Sequence, residues 1–205
     1  MTNILIVDSA ATGARSVSRR LTGALAEAAA DARIVRRDIG AMPVPHLTED
    51  TVFALRGKEP ETEAERAALA LSDALIEELR EADTIVIGAP MYNFGMPSTL
   101  KAWFDHVLRA RITFRYTEAG PEGLLKGKKA VVVLSRAGLY SEGPAAAMDS
   151  QEPHIRTLLA FIGIEDVTFV RAEKLAFGPE AAEASIAEAA AQLRHLAAGE
   201  LPLAA

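Results

Sequence analysis

Cysteine is absent from the 205 residues, which excludes disulfides, thiolate nucleophiles and Cys-ligated zinc or iron–sulfur centres. A reducing compartment is consistent with that. No apolar run approaches the ~20 residues that a membrane span requires. No basic block stands out: 22 Lys and Arg against 28 Asp and Glu leave a formal charge of -6, which argues against nucleic acid or an anionic membrane as the main partner. The chain runs directly into Asn3-Ile4-Leu5-Ile6-Val7 without a basic stretch and a longer apolar run, so no signal peptide is expected and a cytoplasmic location is. G-x-G-x-x-G and G-x-x-x-x-G-K-[ST] are both missing, which disfavours a dinucleotide-type Rossmann site and nucleoside triphosphate hydrolysis. There is no H-E-x-x-H pair, and His154 and His195 lie far apart, so no metal is expected.

What is present is ordinary globular composition, half hydrophobic and about a quarter charged, in a length that suits one domain with a full core. Nothing in it looks like a linker, and residues 1–205 are read as a single domain. Ile4-Leu5-Ile6-Val7, Thr84-Ile85-Val86-Ile87-Gly88, Ala130-Val131-Val132-Val133-Leu134 and Val167-Thr168-Phe169-Val170 are short continuous apolar runs, as strands buried on both faces would be. Arg33 to Asp38 reads as a further strand whose arginines suit an edge. Between the strands lie helical periodicities: from Arg19 to Ala28, from Glu63 to Ala82, from Ser98 to about Ala110, from Glu152 to Gly163, and from Pro179 to about Ala197. Ile112 to Thr117 alternates like a strand and Glu118 to Gly123 reads as its turn. Residues 40–62, broken by Pro43, Pro45 and Pro60, read as a loop longer than a connection needs, either functional or at an interface, or a mobile surface loop.

Strand and helix alternating five times predicts an α/β fold, a doubly wound parallel sheet with helices on both faces, read here in the order 2-1-3-4-5. In that order the loops after the first, third and fourth strands meet at one edge. The first, Ser9 to Ser18, is small and hydroxyl-rich and runs into a helix for which Ser16 is a natural N-cap; that is an arrangement for a phosphate, with Arg15 at its rim, or merely a capped helix. The second, Ala89-Pro90-Met91-Tyr92-Asn93-Phe94-Gly95-Met96-Pro97-Ser98, supplies a stiff turn, an amide and two flat rings. Those parts suit holding a heteroaromatic ring by one edge and one face. The third, Ser135-Arg136-Ala137-Gly138, has small residues that admit a ligand close to the backbone. His106 beside Asp105 is not expected to be a catalytic pair, because adjacent helix residues point apart.

Ser16-Val17-Ser18, Ala89 to Phe94, Thr113-Phe114-Arg115-Tyr116-Thr117-Glu118-Ala119-Gly120-Pro121-Glu122-Gly123, Ser135-Arg136-Ala137-Gly138, Phe161-Ile162-Gly163-Ile164 and Phe177-Gly178-Pro179 together resemble the FMN-dependent NADH-azoreductases, which also act as NADH:quinone reductases. The likeness runs through essentially the whole chain. It implies a flavodoxin-like fold, a homodimer with two FMN sites at the subunit interface, and ping-pong reduction of quinones and azo compounds by NADH or NADPH. No catalytic side chain is implied, since the flavin carries the chemistry. Carried over by position, Ser16, Val17 and Ser18 would hold the FMN phosphate. Pro90, Met91, Tyr92, Asn93 and Phe94 would hold the ring, and Ser135, Arg136, Ala137 and Gly138 would close over its other side. Tyr116, Phe161 and Tyr140 would meet the substrate. The family commonly has a serine at position 10, where this chain has Ala10, so Ser9 is left as the only nearby hydroxyl. Ala137-Gly138 stands for a usual Gly-Gly, and Leu139-Tyr140 stands where a histidine is often found. An electron-carrying flavodoxin is the alternative from another class, and a cofactor-free scaffold a further one.

Overall fold

A computed structural model describes residues 2–199. Met1 and residues 200–205, the extremities of the expected 1–205 domain, lie outside the described residues. The chain runs β1 (Asn3–Asp8), α1 (Val17–Ala28), β2 (Arg33–Asp38), α2 (Glu49–Leu55), α3 (Glu63–Glu81), β3 (Thr84–Pro90), α4 (Ser98–Val107), β4 (Phe114–Thr117), β5 (Gly120–Gly123), β6 (Lys129–Ser135), α5 (Glu152–Phe161), β7 (Asp166–Ala172) and α6 (Pro179–Ala197). Five strands form one parallel sheet in the order β2-β1-β3-β6-β7. Counted along that sheet alone, this is the expected 2-1-3-4-5.

The apolar runs are continuous because both faces of the sheet are covered. Leu5, Val7, Ile85, Ile87, Val132 and Leu134 pack under α3, α4 and α5, with Leu75, Leu79, Trp103, Phe104, Ile155 and Leu159. Ile4, Ile6, Val86, Val131, Val133 and Val170 face α1 and α6, with Leu21, Leu25, Ala189 and Leu193. Each such side chain contributes about 1.5–3 kcal/mol by leaving water. β2 is half-buried and lies at the sheet edge, where Arg33 and Arg37 reach Glu81 and Glu78 of α3.

Two expectations are corrected. Residues 40–62 are not all loop: Glu49–Leu55 is helical, opened by a capping box of Thr48 and Thr51. The seven residues bury only Ala54 and Leu55, too few to give a periodic signal. Likewise Gly120–Gly123 is not a turn but a strand, paired antiparallel with Phe114–Thr117. Its Gly-Pro-Glu-Gly sequence hid it, because glycine and proline are poor strand formers.

The β4–β5 hairpin stands outside the sheet and is held to the end of α5 by close backbone contact. A Cβ on Gly123 would lie 2.0 Å from the Gly163 nitrogen. Leu125 N–H donates to the Ile162 carbonyl at 2.8 Å, and the Phe114 and Phe161 rings meet with centroids 4.5 Å apart. Gly123→Ala must therefore push the hairpin off α5. The expected cost is about 1–3 kcal/mol in urea unfolding, with greater proteolysis between residues 110 and 125; unchanged stability would refute this attachment.

Candidate functional site

In the sheet's register Asp8 stands opposite Gly88, and Pro90 opposite Ser135. Parallel strands so aligned release their following loops at the same edge, which is the switch point between β1 and β3. The structure ties the three loops to one another. Tyr92 Oη accepts from Ala11 N at 3.2 Å and Thr99 Oγ1 donates to the Ser9 carbonyl at 3.0 Å, joining the first loop to the second. Met91 N donates to Ser135 O at 2.9 Å, and Ser150 donates to the Phe94 carbonyl from both its nitrogen and its hydroxyl, joining the second to the third.

The first loop ends in a short 3-10 turn, Gly13–Arg15, and then in Ser16, whose Oγ caps α1 by accepting from Arg19 N at 3.2 Å. Ser16 Oγ and Ser18 Oγ lie 3.0 Å apart, both buried. Two hydroxyl protons share one bond, so one proton remains to donate. The first turn of α1 holds no acid but carries Arg19 and Arg20, the reverse of what a helix dipole favours in isolation. Helix N–H groups without intrahelical acceptors and a spare hydroxyl proton, with Arg20 in the same turn, suit an anion.

The second loop is a tight two-residue turn. Tyr92 and Gly95 exchange N–H to carbonyl bonds at 3.0 and 3.1 Å around Asn93 and Phe94, both with positive φ, 47° and 69°. Asn tolerates that region; Phe94 there is strained by roughly 1–3 kcal/mol, the kind of cost that persists where surrounding contacts impose it. Those contacts are the two Ser150 bonds and the edge of Tyr140, whose ring centroid is 6.0 Å away. The turn leaves the Asn93 amide exposed and the Phe94 ring 40% exposed at the mouth of the edge.

Two residues expected as cofactor ligands are turned away from that mouth. Ser9 is fully buried and donates its hydroxyl to the Gly88 carbonyl at 2.6 Å, so its hydroxyl does not stand in for the serine absent at Ala10. The Arg136 side chain is wholly buried. It donates to Gln151 Oε1 at 3.1 Å, Glu173 Oε1 at 3.1 Å and Asp149 Oδ2 at 2.8 Å. Ser16, Val17, Ser18, Pro90, Met91, Tyr92, Asn93, Phe94, Ser135, Ala137, Gly138 and Tyr140 are brought together at the edge, with Tyr140 packed over Gly138. Tyr116 and Phe161 belong to the hairpin and its anchor, with Tyr116 73% exposed. His106 lies apart from these residues: its Nε2 is 3.0 Å from the Pro45 carbonyl, and burial pushes its imidazole below the usual pKa.

Sequence reading missed the buried braces. Gln151 donates from Nε2 to both the Ala89 and Pro90 carbonyls at 3.0 Å and so fixes the end of β3 from beneath. Glu173 collects Ser141 Oγ and the N–H groups of Tyr140 and Ser141 as well as Arg136. Burial opposes its ionisation, but the Ser141, Tyr140 and Arg136 donors outweigh that and hold its carboxyl below the usual range. No spacing rule marks these residues; only the folded approach of β3, β6 and β7 makes them partners.

The chain belongs to the flavodoxin-like fold family. The family model matches residues 2–197. A relative from Hyphomonas neptunium named FMN-dependent NADH:quinone oxidoreductase is 56% identical over 201 residues, 96% of each chain. The crystal structure of azoreductase from Bacillus anthracis superposes with a TM-score of 0.86 at 30% identity, over 96% of this chain and 99% of that one. The structure of an FMN-dependent NADH-azoreductase from the same species in complex with FMN gives 0.85 at 26% identity, over 96% and 100%. These likenesses span the three-loop edge, the hairpin and all the strands of the sheet.

Arg136 is the test of the brace. Arg136→Met leaves Asp149 and Glu173 buried without their cation and should destabilise the protein by about 3–5 kcal/mol at pH 7. The Glu173 part has a defined pH sense. Its folded pKa is depressed, so its stabilisation is complete above the unfolded carboxylate pKa and is lost as pH falls through the folded one. The urea midpoint of the native chain should therefore fall from pH 7 to pH 4 and that of Glu173→Gln should fall less; equal falls would refute the role.

Proposed function

We propose that this protein is an FMN-dependent oxidoreductase that takes electrons from NADH, or NADPH, and reduces quinones by two electrons or cleaves aromatic azo compounds reductively. The observation that carries this is the joining of an anion-suited helix start at Ser16–Ser18 to the strained Asn93–Phe94 turn in one cross-linked edge. It is supported by relatives named for FMN, NADH and quinone, and by a neighbour solved with FMN. The residues fit the cofactor: the spare hydroxyl proton and free helix N–H groups match a phosphate, and the exposed amide and ring of the turn match a flat heterocycle.

In this reading Ser16, Val17 and Ser18 hold the phosphate, and Pro90, Met91, Tyr92, Asn93 and Phe94 hold the ring. Ser135, Ala137 and Gly138 present backbone to its other side. Ser9 and Arg136 act one layer further out, through the Gly88 carbonyl and the Gln151–Glu173 brace. When bound, FMN supplies the hydride and electron-transfer chemistry. The chain's own groups position it: Asn93 and the turn's N–H groups donate toward the ring edge and favour negative charge there. Tyr140, Tyr116 and Phe161 offer flat surface to a planar acceptor, and no acid or base side chain is required of the protein.

The working unit is a homodimer of the single 1–205 domain, located in the cytoplasm. Supporting it, Met42, Phe53, Tyr116, Met148 and Phe177 keep large apolar side chains in solvent in the isolated chain, surface that a second copy would cover. Among the described residues no helix is long and apolar enough to cross a membrane, and no His, Cys, Asp and Glu cluster could hold a metal.

The deciding experiment is to purify the protein with FMN, record its visible spectrum and follow NADH oxidation with and without benzoquinone. A yellow protein with quinone-dependent NADH consumption is expected. A colourless protein overturns the reading, and a yellow one that leaves NADH untouched is an electron carrier instead. Ser18→Ala should weaken FMN about 10- to 100-fold, as loss of one hydrogen bond to a charged group does, and leave riboflavin affinity unchanged. Asn93→Ala should lower FMN affinity or turnover; full retention of both would remove Asn93 from the site.

A further inference from the structure

The carboxyl of Asp8 and the Ser18 hydroxyl border the same small space beside Gly88, and the site described so far does not use that carboxyl. Asp8 closes β1 and is 1% exposed. Its Oδ1 accepts from Thr22 Oγ1 at 2.7 Å, while its Oδ2 is buried without a hydrogen bond. Gly88 across the sheet leaves the space in which the groups meet: a Cβ there would lie 3.0 Å from Asp8 Oδ1 and 3.7 Å from Ser18 Oγ. A buried carboxylate with one oxygen that takes no hydrogen bond is costly, and an anion arriving at Ser16 and Ser18 would add like charge near it.

The groups facing Asp8 come from two elements. α1 brings Thr22 and Arg19, and β2 brings Arg36 and Asp38, with Arg36 Nε 3.4 Å from Asp8 Oδ2. Arg19 is engaged by Asp38, whose other oxygen takes the Gly40 and Ala41 N–H groups. The two acids and two arginines balance, so the cluster has no cationic excess with which to absorb a dianion. Burial raises the Asp8 pKa above its ordinary value, despite the opposing pull of Thr22, Arg36 and Arg19.

We propose that Asp8 is a positioning residue coupled by a proton to the phosphate cradle, so that binding a phosphate dianion at Ser16–Ser18 takes up one proton from solvent onto the Asp8 carboxyl. The protonated acid keeps its bond from Thr22 and removes a negative charge from under the ligand. This rests on the FMN reading, with the phosphate as the coupled group. The sign follows from linkage: a pKa raised further by the bound anion means that affinity is greatest at low pH. It falls as pH rises from the pKa of the free state to that of the bound state, and is level above.

The test uses FMN-loaded protein diluted at pH 5–8, with flavin fluorescence reporting release, for the native chain and for Asp8→Asn, which keeps the shape and the Thr22 acceptor. The phosphate's own second ionisation, near pH ~6, affects both proteins alike. The FMN dissociation constant of the native chain should rise against that of the variant by up to about tenfold per pH unit within the window. The same proteins loaded with riboflavin, which has no phosphate, should show no such difference. A second variant, Thr22→Val, removes a group that lowers the Asp8 pKa and should move the window to higher pH. Equal pH profiles for FMN in the native chain and Asp8→Asn, an unshifted window in Thr22→Val, or an equal effect with riboflavin would overturn the coupling while leaving FMN binding intact. Failure of all the proteins to hold FMN would overturn the cofactor reading and the coupling together.

Discussion

The parallel ladders between β1, β3 and β6 are the constraint on which the site depends. A strand covered on both faces by helices can present polar groups only where it ends, and parallel strands in register end at one edge. Asp8 opposite Gly88 and Pro90 opposite Ser135 fix how the three loops face one another. A slip of one residue in either ladder would exchange the faces of the strand and destroy both core layers. The hydrophobic core therefore sets the alignment of the functional edge.

The edge itself is held by groups that a core would normally exclude. Arg136, Gln151, Glu173 and Ser9 are buried at the loop bases, each with partners in a different loop or strand. Such groups contribute little net stability, because desolvation offsets much of their attraction, but they discriminate strongly between one loop arrangement and any other. Phe94 in a left-handed conformation is tolerated for the same reason. Its carbonyl is gripped by Ser150 and its ring by Tyr140, so the flat side chain is presented outward on a turn that cannot relax.

Asp8 differs from the other buried polar groups. Arg136 donates to three hydrogen-bonded partners, whereas Asp8 Oδ2 takes no hydrogen bond and meets only the Arg36 guanidinium at 3.4 Å. That incomplete satisfaction, placed next to the proposed phosphate site, distinguishes a group free to change its charge from one that only braces.

The sequence alone determined the sheet, its order and the three loops. Apolar runs of strand length between amphipathic helices have few packings, and small, hydroxyl or amide residues just past strand ends mark where a ligand can come. Ser16 as a cap and Asn93 in a turn were legible for the same local reasons. Short elements with little periodic content were not: α2, burying two residues, and β5, written as Gly-Pro-Glu-Gly, take their form from partners elsewhere in the chain. Side-chain direction was likewise undecided. Ser9 and Arg136 lie in the loops expected of ligands, yet Gly88, Gln151 and Glu173 claim them. Those partners are between 15 and 79 residues away, and a buried donor goes to whichever acceptor the closed fold leaves nearest. Only the tertiary structure decides that.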